Sequence, residues 1–151
     1  MDRSPMDIAI QEAQIGIDDA HGGPFGAVVV REGIIIGRGH NRVLLNQDPT
    51  CHGEMEAIRD ACRNTGSFSL KGADIYTTSE PCPMCLGAVL WAGIRNIYFG
   101  CNREDAEDIG FRDKVFYDTM DQMSYRLIPS QREDCLELFA RYKAIPDKES
   151  Y

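Results

Sequence analysis

Two short clusters in this 151-residue chain carry side chains able to hold a metal ion and move protons. His52-Gly53-Glu54 sets an imidazole two residues ahead of a carboxylate, and Pro81-Cys82-Pro83-Met84-Cys85 sets two thiols three residues apart. Residues three apart share one face of a helical turn, so both sulfurs reach one ion. One imidazole and two thiolates leave the fourth tetrahedral position open for water. Thiolate softness and tetrahedral habit favour zinc ahead of iron. Zinc lowers the pKa of its water from about 15.7 towards ~7, and Glu54 is placed to take that proton and return it to a leaving group. The expectation is one Zn2+ per subunit on His52, Cys82 and Cys85, with Glu54 as general acid and base. A lone C-x-x-C also occurs in redox pairs and structural zinc sites. Cys51, beside His52, is the residue that would close the site by adding a fourth ligand.

The surrounding periodicities supply elements to bring the clusters together. Met6, Ile10, Ala13, Ile17 and Ala20 fall on one helical face, which predicts a helix over 5–20 ended by Gly22-Gly23-Pro24. Two β-rich runs, 25–30 and 34–39, flank Arg31-Glu32-Gly33 and read as a tight antiparallel hairpin. From 52 to 64, Met55, Ile58 and Cys62 make a helical face that Gly66 stops, so His52 opens a helix. A strand at 74–79, a Pro-started helix at 83–92 and a strand at 96–100 form a crossover unit, which normally joins parallel strands. Pro83 suits a first helical turn, and the positive end of that helix favours thiolate. Helices at 103–108, 114–123 and 133–144 and a short strand at 126–128 complete the reading. The expected fold is a three-layer α/β/α sandwich with a mixed five-stranded sheet, in one domain over 1–151.

Bulk properties narrow the partners. A net charge of −8 disfavours a polyanionic substrate. The chain has no apolar run near the ~20 residues of a membrane span and no secretory pattern at Met1-Asp2-Arg3-Ser4-Pro5, so a cytoplasmic protein is expected. In a reducing compartment the six cysteines are thiols or metal ligands; Cys62, Cys101 and Cys135 read as small core residues. His21 reads as a surface residue and His40 as a packing residue.

H-x-E followed by P-C-x-x-C is the signature of zinc deaminases. With Gly22-Gly23-Pro24-Phe25-Gly26-Ala27-Val28, Asp48-Pro49-Thr50, Ala57-Ile58-Arg59 and Leu86-Gly87-Ala88, the chain resembles the cytidine deaminase-like superfamily, and within it the bacterial guanine deaminases. That resemblance implies hydrolysis of guanine to xanthine and ammonia. It also implies substrate contacts from Asn41 and, through Gly110-Phe111-Arg112-Asp113, from Asp113. Tyr151 would close the pocket on a C-terminal segment exchanged within a homodimer, and Phe25 stands between pocket wall and core. Tyr151 otherwise reads as a frayed terminus, Asn41 as a turn residue and Asp113 as a helix cap. The rival within the resemblance is the tRNA-specific adenosine deaminase, whose basic termini this acidic chain lacks; another guanine-like base or a nucleoside is the remaining alternative. Gly53, where Ala is common in the family, and Arg112 are departures that bear on which base fits.

Overall fold

Ser4 accepts a hydrogen bond from the Asp7 N–H at 3.1 Å while the Asp7 carboxylate accepts one from the Ser4 N–H at 2.9 Å. This capping box, with Pro5 in the first turn, starts helix α1, Pro5–Asp18. The computed structural model describes residues 3–123, 126 and 128–149, in two compact units, Met1–Met120 and Asp121–Tyr151.

In the first unit, strands β1 (Gly26–Arg31) and β2 (Ile34–His40) form the expected hairpin. Glu32 and Gly33 both take positive φ, 51° and 77°, the backbone of the two-residue turn that matches strand twist. A four-residue helix, α2 (Val43–Asn46), lies inside the polar loop that follows. Helix α3 spans Gly53–Thr65, with His52 as its N-cap and Gly66 as a left-handed C-cap at φ 66°. Strand β3 (Asp74–Ser79), helix α4 (Pro83–Trp91) and strand β4 (Asn96–Cys101) make the crossover, with β3 and β4 parallel. The strand order is β2-β1-β3-β4, antiparallel except for that last pair.

Alternation along β1 divides the core between two faces. Ala27 and Val29 pack with Ala57 and Ala61 of α3 and Val89 of α4. Val28 and Val30 pack with Ala9 and Met6 of α1 on the other face, which gives the three layers. A Cβ on Gly37 would lie 2.5 Å from the Ala57 carbonyl oxygen, and one on Gly39 would lie 2.7 Å from the Ala57 nitrogen. The α3 backbone therefore rests directly on β2, which fixes the position of the helix that carries Glu54.

Helices α5 (Arg103–Asp108) and α6 (Asp113–Thr119) follow β4, and Met120–Gln122 forms one 3₁₀ turn. The second unit contains α7, Arg132–Lys143. The sheet has four strands rather than five among the described residues. Arg126 and Ile128 are not in a strand, and Leu127 lies outside the described residues. Pro129 follows at once and has no N–H to give a ladder, and Ile128 is 76 % exposed, without the burial that holds a strand in place. Cys101 and Cys135 are exposed rather than in the core, because β4 is an edge strand and α7 is exposed throughout; Cys62 is half-buried. Among the described residues no helix is long and apolar enough to cross a membrane.

Candidate active site

Two helix N-termini meet at the chemistry-bearing residues. His52 is the N-cap of α3 and Cys82 the N-cap of α4, with Cys85 in the first turn behind Pro83. The His52 Nδ1 atom faces both sulfurs, 3.6 Å from Cys82 Sγ and 3.5 Å from Cys85 Sγ. The ligand atoms of His52, Cys82 and Cys85 lie within 4.8 Å of one another, a grouping that suits one ion. The hydrogen bond from the Cys85 thiol, and after it the bond to His52, draw the Cys82 thiol down to about 4 against the opposing effect of burial. Cys85, the donor in that pair, is raised by its bond to Cys82 and by burial. The bond to Cys82 raises His52.

The donor set fits zinc: one imidazole and two thiols, with no fourth His, Cys, Asp or Glu in the group among the described residues. Cys51 does not complete it. Its sulfur accepts from Asn46 Nδ2 at 3.5 Å and Arg59 Nη1 at 3.8 Å, so the open position expected of a catalytic site is kept.

Glu54 is 4 % exposed, and burial raises its carboxyl above the ordinary range. Its Oε1 accepts from the Thr77 hydroxyl at 2.7 Å. Gly53 lets α3 begin this close to the sheet, since a Cβ there would lie 3.0 Å from the Phe25 carbonyl oxygen. The departure at Gly53 thus has a packing cause.

A cavity of about 900 Å³ opens on His52, Glu54 and Cys82, within the range of small-molecule sites. Phe25, Phe111, Phe116 and Met84 give it apolar walls, and the rings of Phe25 and Phe111 meet edge to face at 4.7 Å. Phe25 is therefore a wall residue. Asn41 is 5 % exposed and lines the cavity; its Oδ1 accepts from the Val43 N–H at 3.0 Å. It is thus both a turn residue and a cavity-lining one. Asp113 lines the α6 wall of the cavity as the first residue of that helix, makes no side-chain cap, and is raised first by burial and then by the charge on Cys82. Arg112 is also on this wall, its guanidinium 5.4 Å above the Phe116 ring. Tyr151 lies outside the described residues.

Several cavity neighbours escaped the sequence reading. Thr77 and Ser79 alternate onto the Glu54 side of β3, a signal available in the strand ahead of Pro81-Cys82. The Ser79 hydroxyl is buried without a partner. Glu80 accepts from Arg103 Nη2 at 2.6 Å, a pairing with no local signature. Outside the cavity, buried His40 bonds Glu12 at 2.7 Å and half-buried His21 at 2.8 Å, so His40 packs as expected.

Residues 1–101 match the cytidine and deoxycytidylate deaminase zinc-binding region. The chain is 39 % identical over 137 residues to the guanine deaminase of Bacillus subtilis, covering 90 % of this chain and 88 % of that one. The X-ray structure of guanine deaminase from Bacillus subtilis superposes with a TM-score of 0.91 at 35 % identity, over 100 % of this chain and 99 % of that one. The tRNA-specific adenosine deaminase of Agrobacterium fabrum is 42 % identical over 95 residues, 63 % of this chain and 62 % of that one. The family match takes in the whole sheet together with both metal-binding helices, and the chain belongs to the cytidine and deoxycytidylate deaminases, a family of zinc enzymes.

Proposed function

We propose that the chain hydrolyses guanine to xanthine and ammonia, working as one deaminase domain. The observation that carries this reading is the extent of the likeness to a guanine deaminase. A match over 90 % of the chain necessarily includes α5 and α6, and hence the cavity wall with Phe111 and Asp113. Zinc held by His52, Cys82 and Cys85 would supply the Lewis acid that makes water nucleophilic at neutral pH. Glu54 takes a proton from the attacking water at its carboxylate and delivers protons to the ring nitrogen and the departing amine, so that water and guanine leave as xanthine and ammonia. Its burial suits a carboxyl that must hold a proton between those transfers. The Asn41 amide nitrogen donates to an acceptor on the base, and the Asp113 carboxylate accepts from ring or exocyclic N–H groups. Phe25 and Phe111 cover the ring faces and exclude water.

We place the protein in the cytoplasm, where six free thiols are stable, and read it as a homodimer. Leu138, Phe139 and Tyr142 of α7 and Tyr98 and Phe99 of edge strand β4 are exposed apolar groups suited to partner contact. Exchange of the C-terminal segment would bring Tyr151 to the partner's cavity as a lid. The net charge of −8 favours a neutral base over nucleic acid.

The test is incubation of the purified protein with guanine and, separately, with an anticodon stem-loop RNA containing adenosine. Xanthine formation without inosine formation is expected. Inosine without xanthine would transfer the reading to tRNA adenosine deamination.

A further inference from the structure

We propose that Thr77 is a positioning residue for Glu54, holding one carboxyl oxygen so that the other faces the reacting base. The inference rests on the deaminase reading and assigns a role within the same site.

Thr77 lies in β3, an inner strand of the sheet. It pairs with Ala27 of β1 on one side and Phe99 of β4 on the other, so backbone ladders fix it from both directions. It is fully buried. As a β-branched residue in a strand it has little freedom about χ1, which makes the direction of its hydroxyl a property of the fold. That hydroxyl lies 2.7 Å from Glu54 Oε1 and 3.0 Å from the Ser79 carbonyl oxygen, with the carboxylate the nearer of the two acceptors.

Glu54 needs such a tether. Its backbone is set by α3, but a glutamate reaches its carboxyl through three rotatable bonds, and the last is a broad two-fold torsion. A carboxyl that moves protons among a water, a ring nitrogen and a departing amine has to present one oxygen in one direction. Anchoring Oε1 to a rigid strand restrains rotation about that last bond, and Glu54, with Cys85 as its other side-chain partner, is held where it lines the cavity. The organising energy is supplied by folding, ahead of the reaction. A hydrogen bond serving orientation alone belongs to the chemical step, so its loss lowers kcat and leaves KM nearly unchanged.

The test compares the wild-type enzyme with Thr77→Val, which keeps the shape and removes the hydroxyl, and Thr77→Ser, which keeps the hydroxyl. Thr77→Val is expected to retain one zinc per chain and its cooperative melt, to lose about 10–100-fold in kcat, and to keep KM within about twofold. Thr77→Ser is expected to restore kcat to within about threefold of wild type. A Thr77→Val kcat within twofold of wild type, a loss of zinc that tracks the loss of rate, or a Thr77→Ser enzyme as slow as the valine variant would each overturn the assignment. Should the valine variant not fold, Thr77→Ala decides by the same readouts. The wild-type arm separates this proposal from the choice of substrate. A wild type inert with guanine but active on another base contradicts that choice alone, and the comparison runs on the base it deaminates; a wild type inert on every base overturns both.

Discussion

Tyr117 donates its hydroxyl hydrogen to the Pro81 carbonyl oxygen at 2.5 Å, fastening α6 to the loop that carries Cys82. The Arg103 guanidinium lies 3.7 Å above the Tyr117 ring and gives Glu80 two side-chain hydrogen bonds, 3.0 and 2.6 Å, alongside one from its backbone N–H at 2.9 Å. The wall bearing Phe111 and Asp113 is thus held to the metal-binding loop by three side chains. Tyr117→Phe should keep zinc and raise KM for the base about 3–10-fold, the cost of one net hydrogen bond. Arg103→Met should raise KM further, because it leaves the half-buried Glu80 carboxylate unpaired. Steady-state kinetics with zinc analysis checks both; an unchanged KM in both variants would mean that the wall is held by other contacts.

Gly53 makes a second, separable prediction. Alanine there requires the Phe25 backbone to give by a few tenths of an ångström, because its Cβ would lie 3.0 Å from Phe25 O and 3.2 Å from Phe25 C. The helix-propensity gain, at most about 1 kcal/mol and less in a first turn, offsets that strain. Gly53→Ala should therefore melt within about 4 °C of wild type while raising KM several-fold, since the displaced residue is a cavity wall. Unchanged KM with a higher Tm would show that the contact is slack.

The arrangement was partly legible in the sequence. The grouping of His52, Cys82 and Cys85 was, with Glu54 beside it, because these residues lie in two short motifs whose spacing reflects single helical turns. Pro83 and Gly66 mark helix ends for stereochemical reasons that do not depend on tertiary context. A strand at 126–128 is an expectation from residue type alone, and type does not disclose whether a sheet edge is there to pair with. Helix α2, four residues long, is shorter than any periodic signal. Thr77 with Glu54, Arg103 with Glu80 and Tyr117 with Pro81 are separated by 23, 23 and 36 residues, and no local pattern carries such pairings.

Glu12 predicts how stability depends on pH. Burial opposes its ionisation, but hydrogen bonds from His40 and Arg38, with their charges, outweigh burial and hold the carboxyl below its ordinary value of 4.5. A carboxyl lowered by folding stabilises the native state above its unfolded pKa and loses that contribution as pH falls through the folded value. Relative to Glu12→Gln, wild type should be more stable at neutral pH by about 1.5–3 kcal/mol, the range for a charge-assisted hydrogen bond. The gap should close as pH drops below 4.5. Thermal melts of both proteins across that range check this; a gap that widens in acid would contradict the sign.

Whether Glu54 moves the protons while His52, Cys82 and Cys85 hold the metal is decided by measuring zinc content and ammonia release side by side in wild type and Glu54→Gln. The amide keeps the shape of the carboxyl and its bond to Thr77 but cannot shuttle a proton. One zinc per chain is expected in both proteins, with a loss of about 10²–10⁴-fold in kcat in the variant, the usual contribution of a positioned acid or base. Near-normal ammonia release by a zinc-loaded Glu54→Gln enzyme would contradict that role of Glu54.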